Sequence, residues 1–407
     1  MTAVAESPDL IKLPVSRLAL GMYVTAIDQQ GKVTVVNAGL LKHKDAITHL
    51  VKSGIRFVWV DAEKSLPGSG LKKAGSTASL RGKDKVKFGA GAKTKTKLGL
   101  APNQMRQQKA KNLLFEAKGL IRKVLGEVFE GKAIEVAPFE ALADNLIESV
   151  MSDAGAMQFA SALRSKDAYL LEHSVNVAVL LVTFGRHLGF DATTLKQLAV
   201  GGILHDIGKI KVDNQILHKP GKLSEEEFEH MKLHQVYAID ALAEAPDLHQ
   251  ISKDVCLMHH EKLDGRGYPN GLKGDEIPLH GRMSGICDIY DALTATRCYK
   301  EAMSPASAFK ILLSLTPHHL DQKLVYEFIR CVGVYPVGSL VELSDGRVGI
   351  VWETNGREVR QPIVKCFYSL KLKRYTQVAY VDLLKSELEI ERGVTPGALE
   401  VDPSPFY

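Results

Sequence analysis

The sequence predicts a mainly α protein, with a small α+β domain ahead of a long helical core and a small β unit behind it. Three observations carry this. From Asn103 to about Val332 the apolar residues recur at helical spacing almost throughout. Residues 1–62 instead hold short strand-like apolar runs around one helix-like stretch. After Gly333 the pattern becomes alternating strands punctuated by Asp-Gly and Asn-Gly turn signals.

In the first domain, "KLPVSRLALGMYVTAI" and "GIRFVWV" read as strands, and "KHKDAITHLVKSG" between them reads as a helix with a Gly stop. Residues 63–102 follow, rich in Gly, Ser, Thr and Lys and without periodicity, as a flexible linker. Between Leu71 and Lys97 stand nine Lys/Arg and one Asp, a local +8 against a total of +5, which leaves −3 on the rest of the chain. The basicity therefore belongs to one segment. With Phe88 as its lone aromatic, that segment lacks base-stacking groups and reads as a solvated linker rather than a nucleic-acid-binding element.

The helical core spans 103–332. In "KNLLFEAKGLIRKVLGEVFE" residues Leu114, Ile121, Val124, Leu125 and Val128 share one face, and in "FEALADNLIESVM" Phe139, Leu142, Leu146, Ile147 and Val150 do the same. Residues 333–407 form the β-rich C-terminal unit. At 407 residues with 45% hydrophobic and 24% charged side chains, the chain has the composition of a soluble globular protein of two to three units. No window is apolar enough to span a membrane and no signal pattern opens the chain, so the expected compartment is the cytoplasm. Five cysteines without a CxxC pair argue against a disulfide framework and against a thiolate zinc site.

Within the helical core, metal-ligand residue types occupy places where the pattern asks for apolar ones. His173 lies in "LLEHSVNVAVLLVTF". His205 and Asp206 end "LKQLAVGGILHDIGK", where Gly208 reads as a helix stop. His234 follows "SEEEFEHMKLH", His259 and His260 close another helix, and Asp288 sits in "GICDIYDALTATR". Singly, a buried His is satisfied by one hydrogen bond and an Asp near a helix start by capping. Together, seven such groups on five helices are costly to bury unpaired, and divalent cations offset that cost. Since one ion accepts about six ligands, the number of donors points to two ions sharing a carboxylate. On a helix His205 and Asp206 would point about 100° apart, which suits Asp206 to bridging. Imidazole and carboxylate without thiolate favour iron, manganese, nickel or cobalt.

The strings "HDIGKI", "KPGKLSEEEFEHMKLH" and "HHEKLDGRGYPNGLKGDEIPLHGRMSGICDIYDALTATRCYKEAM" resemble the HD-GYP family of bacterial cyclic-di-nucleotide phosphodiesterases over about Leu163 to Pro317. The opening "IKLPVSRLALGMYV" with "FVWVD" is similar to the small N-terminal domain found ahead of some members. The resemblance implies an all-helical HD-type metal-dependent phosphohydrolase core that hydrolyses cyclic di-GMP to linear pGpG through a metal-bridging hydroxide. It implies two divalent ions, iron or manganese. One would be held by His173, His205, Asp206 and Asp288, the other by Asp206, His234, His259 and His260. Lys209 would be the catalytic lysine beside Asp206, Gly267 and Tyr268 would line the substrate site with Tyr268 packing on a purine, and Arg297 and Lys300 would engage phosphate and base.

Three positions depart from the family pattern. Tyr169 stands where members with a third metal carry Glu, which implies a two-metal site and a linear product; Ala238 replaces a frequent Gly, and Cys298 a Pro. The alternatives are a cyclic-dinucleotide receptor without turnover, a phosphodiesterase for cyclic GMP-AMP, and an enzyme acting on a nucleoside monophosphate. Signalling proteins or a second copy of the chain are the partners left open.

Overall fold

Val58 and Val60 are fully buried on either side of Trp59, and that two-residue alternation makes Phe57–Asp61 the central strand of a small antiparallel sheet. The computed structural model describes residues 10–15, 18–19, 22–29, 32–34, 39–41, 47, 57–61, 65, 100–162, 169–295, 302–355, 358–399 and 403–407. It divides into two compact units, Met1–Lys97 and Leu98–Tyr407.

In the first unit the strands are β1 (Leu10–Pro14), β2 (Tyr23–Gln29), β3 (Lys32–Thr34), β4 (Gly39–Leu40) and β5 (Phe57–Asp61). They run in the order β1-β5-β2-β3, with β4 added on β2. Val15, Met22, Val24, Leu41, Val58 and Val60 form its core. Of the helix expected at "KHKDAITHLVKSG", the described residues contain Ile47 alone, in helical conformation.

The second unit begins with α1 (Leu100–Phe129) and α2 (Ala137–Ala162). The last three residues of the expected linker, 100–102, thus already belong to α1; Pro102 is compatible because a first helical turn needs no donor from it. The rest of the expected basic linker, Ser65 apart, lies outside the described residues. An extended residue, Asp153, interrupts α2; its carboxylate accepts from Ala156 N–H at 2.9 Å and pairs with Arg106 of α1 at 3.1 Å. Then come α3 (Tyr169–His187), α4 (Ala192–Leu204), a 3-10 turn (Ile207–Lys211), α5 (Asn214–Leu217), α6 (Glu225–Ala243), α7 (Gln250–Met258), α8 (Leu279–Thr294), α9 (Pro305–Ser314) and α10 (Gln322–Val332).

Sequence-local capping sets several of these starts. Asp191 accepts from Thr194 N–H before α4, and Ser224 and Glu227 close a reciprocal capping box before α6. The apolar faces read in α1 and α2 bury against α3, α4 and α6 in one continuous core. A second core gathers α3, α8, α9 and α10 around Phe184, Phe309 and Phe328.

The chain ends in an antiparallel sheet of β6 (Leu340–Leu343), β7 (Arg347–Asn355), β8 (Glu358–Ser369), β9 (Arg374–Asp382) and β10 (Ile390–Val394), ordered β10-β6-β7-β8-β9. The Asp-Gly turn signal falls between β6 and β7, where Asp345 accepts from Arg347 N–H at 3.0 Å. The sheet does not close on itself alone. Phe159 from α2 is a member of its core, with Trp352 edge-on at 5.2 Å between centroids. No helix among the described residues is long and apolar enough to cross a membrane.

Candidate metal centre

All seven candidate ligands are brought together by α3, α4 and its following turn, α6, α7 and α8. His173 lies in α3, His205 caps the end of α4, His234 lies in α6, His259 caps α7 with His260 after it, and Asp288 lies in α8. His234, His259 and His260 each offer an atom within 4.8 Å of the others, and so do His173, His205 and Asp206. Asp288 Oδ1 is 3.0 Å from His173 Nε2, which adds it to the second group.

Three local expectations need correction. Asp206 is not one helical step beyond His205: its φ of −101° and ψ of 15° place it in the turn after α4. Its reach to both groups comes from that turn. Gly208 does not stop a helix. A Cβ there would stand 1.9 Å from the His234 carbonyl oxygen and 2.7 Å from Ala238 N, so the glycine lets α6 lie directly on the turn carrying Asp206. Asp288 is no helix-start residue either, since it is the tenth residue of a sixteen-residue helix.

The imidazoles are aimed by their outer nitrogens. Nδ1–H of His205, His234 and His259 donates to the carbonyl three residues back, at Gly202, Met231 and Cys256, over 2.7, 2.7 and 2.8 Å. His173 Nδ1–H instead donates to the Asp291 carboxylate at 2.8 Å. With Nδ1 so engaged, the neutral rings of His205, His234 and His259 turn an Nε2 lone pair inward, and His173 turns its Nε2 to Asp288 Oδ1 at 3.0 Å. Asp206 joins the two groups: Oδ2 is 3.6 Å from His173 Nε2 and 3.4 Å from His205 Nε2, and Oδ1 is 3.8 Å from both His234 and His259 Nε2. Asp206 is buried, and its Oδ1 has no hydrogen-bond partner among the described residues.

The electrostatics differ across the centre. Burial, followed by the Lys209 charge, pulls His234 down to about 4; burial, followed by His205, takes His259 to about 3. Burial also lowers His205 and drives His260 well below its usual value. For His173 burial opposes the charge, but hydrogen bonds to Asp288 and Asp291 outweigh it and raise the group to about 9. Burial likewise opposes ionisation of Asp206 and Asp288, yet Lys209 and the imidazoles hold Asp206, and His173 holds Asp288, well below the carboxylate range. Converging Nε2 lone pairs, ionised carboxylates and an orphaned carboxylate oxygen fit divalent cations. His173 and His205 Nε2 stand 3.2 Å apart, a contact that either a proton or a shared cation must mediate.

Lys209 Nζ donates to Asp206 Oδ2 at 2.5 Å. Gly267 lies against the backbone of the ligand turn, where a Cβ would be 2.4 Å from Glu261 Cα and Lys262 N. Tyr268 stacks on His260, with centroids 4.6 Å apart and planes at 27°, and the Lys232 ammonium is 5.7 Å from its ring centre. One face of the Tyr268 ring is thus covered by a candidate ligand. Arg297, Cys298 and Lys300 lie outside the described residues, and Tyr169 is the first residue of α3. Sequence reasoning missed Asp291, Gln235 and Glu261. Asp291 repeats Asp288 one turn on and was readable as a second acid on that face; Glu261, which accepts from Asn270 and Leu272 N–H at 2.8 and 2.9 Å and folds the Gly-Tyr-Pro loop back, directly follows the His pair.

Comparisons with known proteins agree with this architecture. A family described as "HD domain" matches residues 158–324, and a domain of unknown function (DUF3391) matches residues 10–139. The chain is 32% identical over 381 residues to cyclic di-GMP phosphodiesterase PA4108 of Pseudomonas aeruginosa, covering 92% of this chain and 89% of that protein. It is also similar to 3'3'-cGAMP-specific phosphodiesterase 2 of Vibrio cholerae, 35% identical over 41% of this chain and 32% of that one. A cyclic di-GMP phosphodiesterase of Vibrio cholerae is 43% identical over 31% of this chain and 27% of its own. The HD-domain match falls on the helices that carry the seven candidate ligands, the relative from Pseudomonas aeruginosa follows nearly the whole chain, and by these the chain belongs to the HD-GYP family.

Proposed function

We propose that the protein is a metal-dependent phosphodiesterase that opens cyclic di-GMP to linear pGpG. The observation that carries this is Asp206, whose two oxygens face two separate groups of ligand nitrogens while Lys209 sits on the same carboxylate. In this reading two divalent ions, iron or manganese, occupy the groups, one on His173, His205, Asp206 and Asp288 and the other on Asp206, His234, His259 and His260. Such ions lower the pKa of a bound water and draw charge off phosphoryl oxygens.

The chain's own residues supply the rest. Lys209 places a positive charge at the rim of the centre, where a phosphoryl group gaining charge would lie. Gly267 and the Glu261 clamp hold the Gly-Tyr-Pro loop against the ligand turn, and Tyr268 fixes the plane of His260. Arg297 and Lys300 are assigned to phosphate and base by the family likeness, and Tyr169 to the lack of a third ion. The chain is read as an N-terminal domain (1–62), a linker from 63 that ends where α1 begins at Leu100, a catalytic domain from there to 332 and a C-terminal unit (333–407), in the cytoplasm.

Incubating the manganese- or iron-loaded protein with cyclic di-GMP and separating the products tests this. Linear pGpG is the expected product; unchanged substrate after prolonged incubation, with binding retained, would instead assign a receptor. Relatives named for cyclic GMP-AMP give a second reading, and a faster rate on that substrate than on cyclic di-GMP would select it.

A further inference from the structure

Gln235 follows His234 on α6 and is fully buried. The tip of its carboxamide is close to two candidate ligands, with Nε2 3.0 Å from His234 Nε2 and 3.4 Å from His259 Nε2. Its Oε1 has no hydrogen-bond partner among the described residues. Two donors bound to one ion at about 2.1 Å are about 3.0 Å apart at a right angle and about 3.4 Å apart at a tetrahedral one. The amide tip thus stands at ligand-to-ligand spacing from both imidazoles.

We infer that Gln235 supplies its carbonyl oxygen as an additional ligand to the cation held by His234, His259 and His260, an inference that rests on the two-ion reading above. Both imidazoles commit Nδ1–H to main-chain carbonyls, so a cation there takes the Nε2 lone pairs that the amide N–H group otherwise meets. The N–H group then has no acceptor, and Oε1 has no donor. A half-turn about the terminal bond exchanges the two ends with almost no change of shape and presents the unused oxygen to the cation. The carboxylate oxygens near this group stand at some distance: Asp206 Oδ1 is 3.8 Å from His234 and His259 Nε2, and Asp288 Oδ2 is 4.0 Å from His260 Nδ1. A neutral carbonyl raises its coordination number without adding charge. It also suits manganese or iron, which accept oxygen ligands, better than a closed zinc site.

The full chain, stripped with a chelator and titrated with cobalt(II), tests the assignment in wild type, Gln235→Leu and Gln235→Glu. Wild type is expected to take two ions. Gln235→Leu should keep the first and bind the second about 10- to 100-fold more weakly, with stronger visible absorption as the cobalt loses a ligand. Gln235→Glu, which keeps an oxygen at the site, should bind the second ion at least as tightly as wild type. If Gln235→Leu binds both ions with wild-type affinity and spectrum, or if Gln235→Glu weakens the second site, Gln235 is not a ligand. Fewer than two ions in wild type would overturn the two-ion reading and this inference with it. Should Gln235→Leu fail to fold, the affinity of Gln235→Glu alone still decides.

Discussion

The two halves of the candidate metal centre differ in how one ring, His173, is aimed. In the half of His234, His259 and His260, two rings are held by carbonyls of their own helices, and burial keeps the group neutral. In the half of His173 and His205, a carboxylate from another helix, Asp291, holds His173 and draws positive charge onto it. The first arrangement is built from backbone at His234 and His259. The second mixes the two: His205 donates to the Gly202 carbonyl of its own helix, while His173 depends on the Asp291 side chain and is the better base.

Asp206 is common to both halves, so its loss should erase the contrast. Asp206→Ala is expected to lower turnover by about 10⁴-fold or more, the scale seen when a member of a catalytic unit is removed. Metal analysis should show both ions lost; retention of one would mean that the halves are independent.

Asp291→Asn should separate them. The amide can still accept from His173 Nδ1 but no longer carries charge, and affinity for the first ion should fall by about 10- to 100-fold while the second is unchanged. Isothermal titration of the chelated protein reads this directly, and equal weakening of both ions would break the comparison.

Tyr268 belongs to the other half through its stack on His260. Tyr268→Ala is expected to weaken the second ion by up to about 10-fold, and Tyr268→Phe, which keeps the ring, to restore it. A rise in KM with metal affinity unchanged would assign Tyr268 to purine packing instead.

The smallest effect is on stability in the metal-free protein. His173 is raised to about 9, so its contribution is complete below about 6.5 and is lost as pH rises through 9. His234 and His259 are lowered to about 4 and about 3, so their contribution is present above about 6.5 and is lost as pH falls toward those values. Thermal melts of chelated protein should therefore decline on both sides of about pH 6.5, and His173→Gln should flatten the alkaline side alone.

The cluster of seven candidate ligands was legible because His and Asp in an apolar helical pattern violate the period that surrounds them. Gln235 was not, since a glutamine beside a ligand carries no such signal until its tip is located. Gly208 was misread for a related reason: its role is set by α6, twenty-six residues further on at His234, which no local pattern contains. Asp206 was assigned the right neighbours through the wrong geometry, because helix periodicity was extended one residue past the end of α4. The shared core of the terminal sheet with Phe159 was equally hidden, as both partners read as complete elements by themselves.

The match to the N-terminal domain of unknown function runs to residue 139, through the whole of α1, yet Leu113, Leu114, Ala117, Ile121, Val124 and Val128 of α1 are packed in the helical core. Ancestry and architecture therefore draw the border in different places. Anyone dissecting the gene for expression would do well to cut before Leu100 rather than after residue 139, since the later cut strips a thirty-residue wall from the hydrolase half and leaves a greasy trench where it stood.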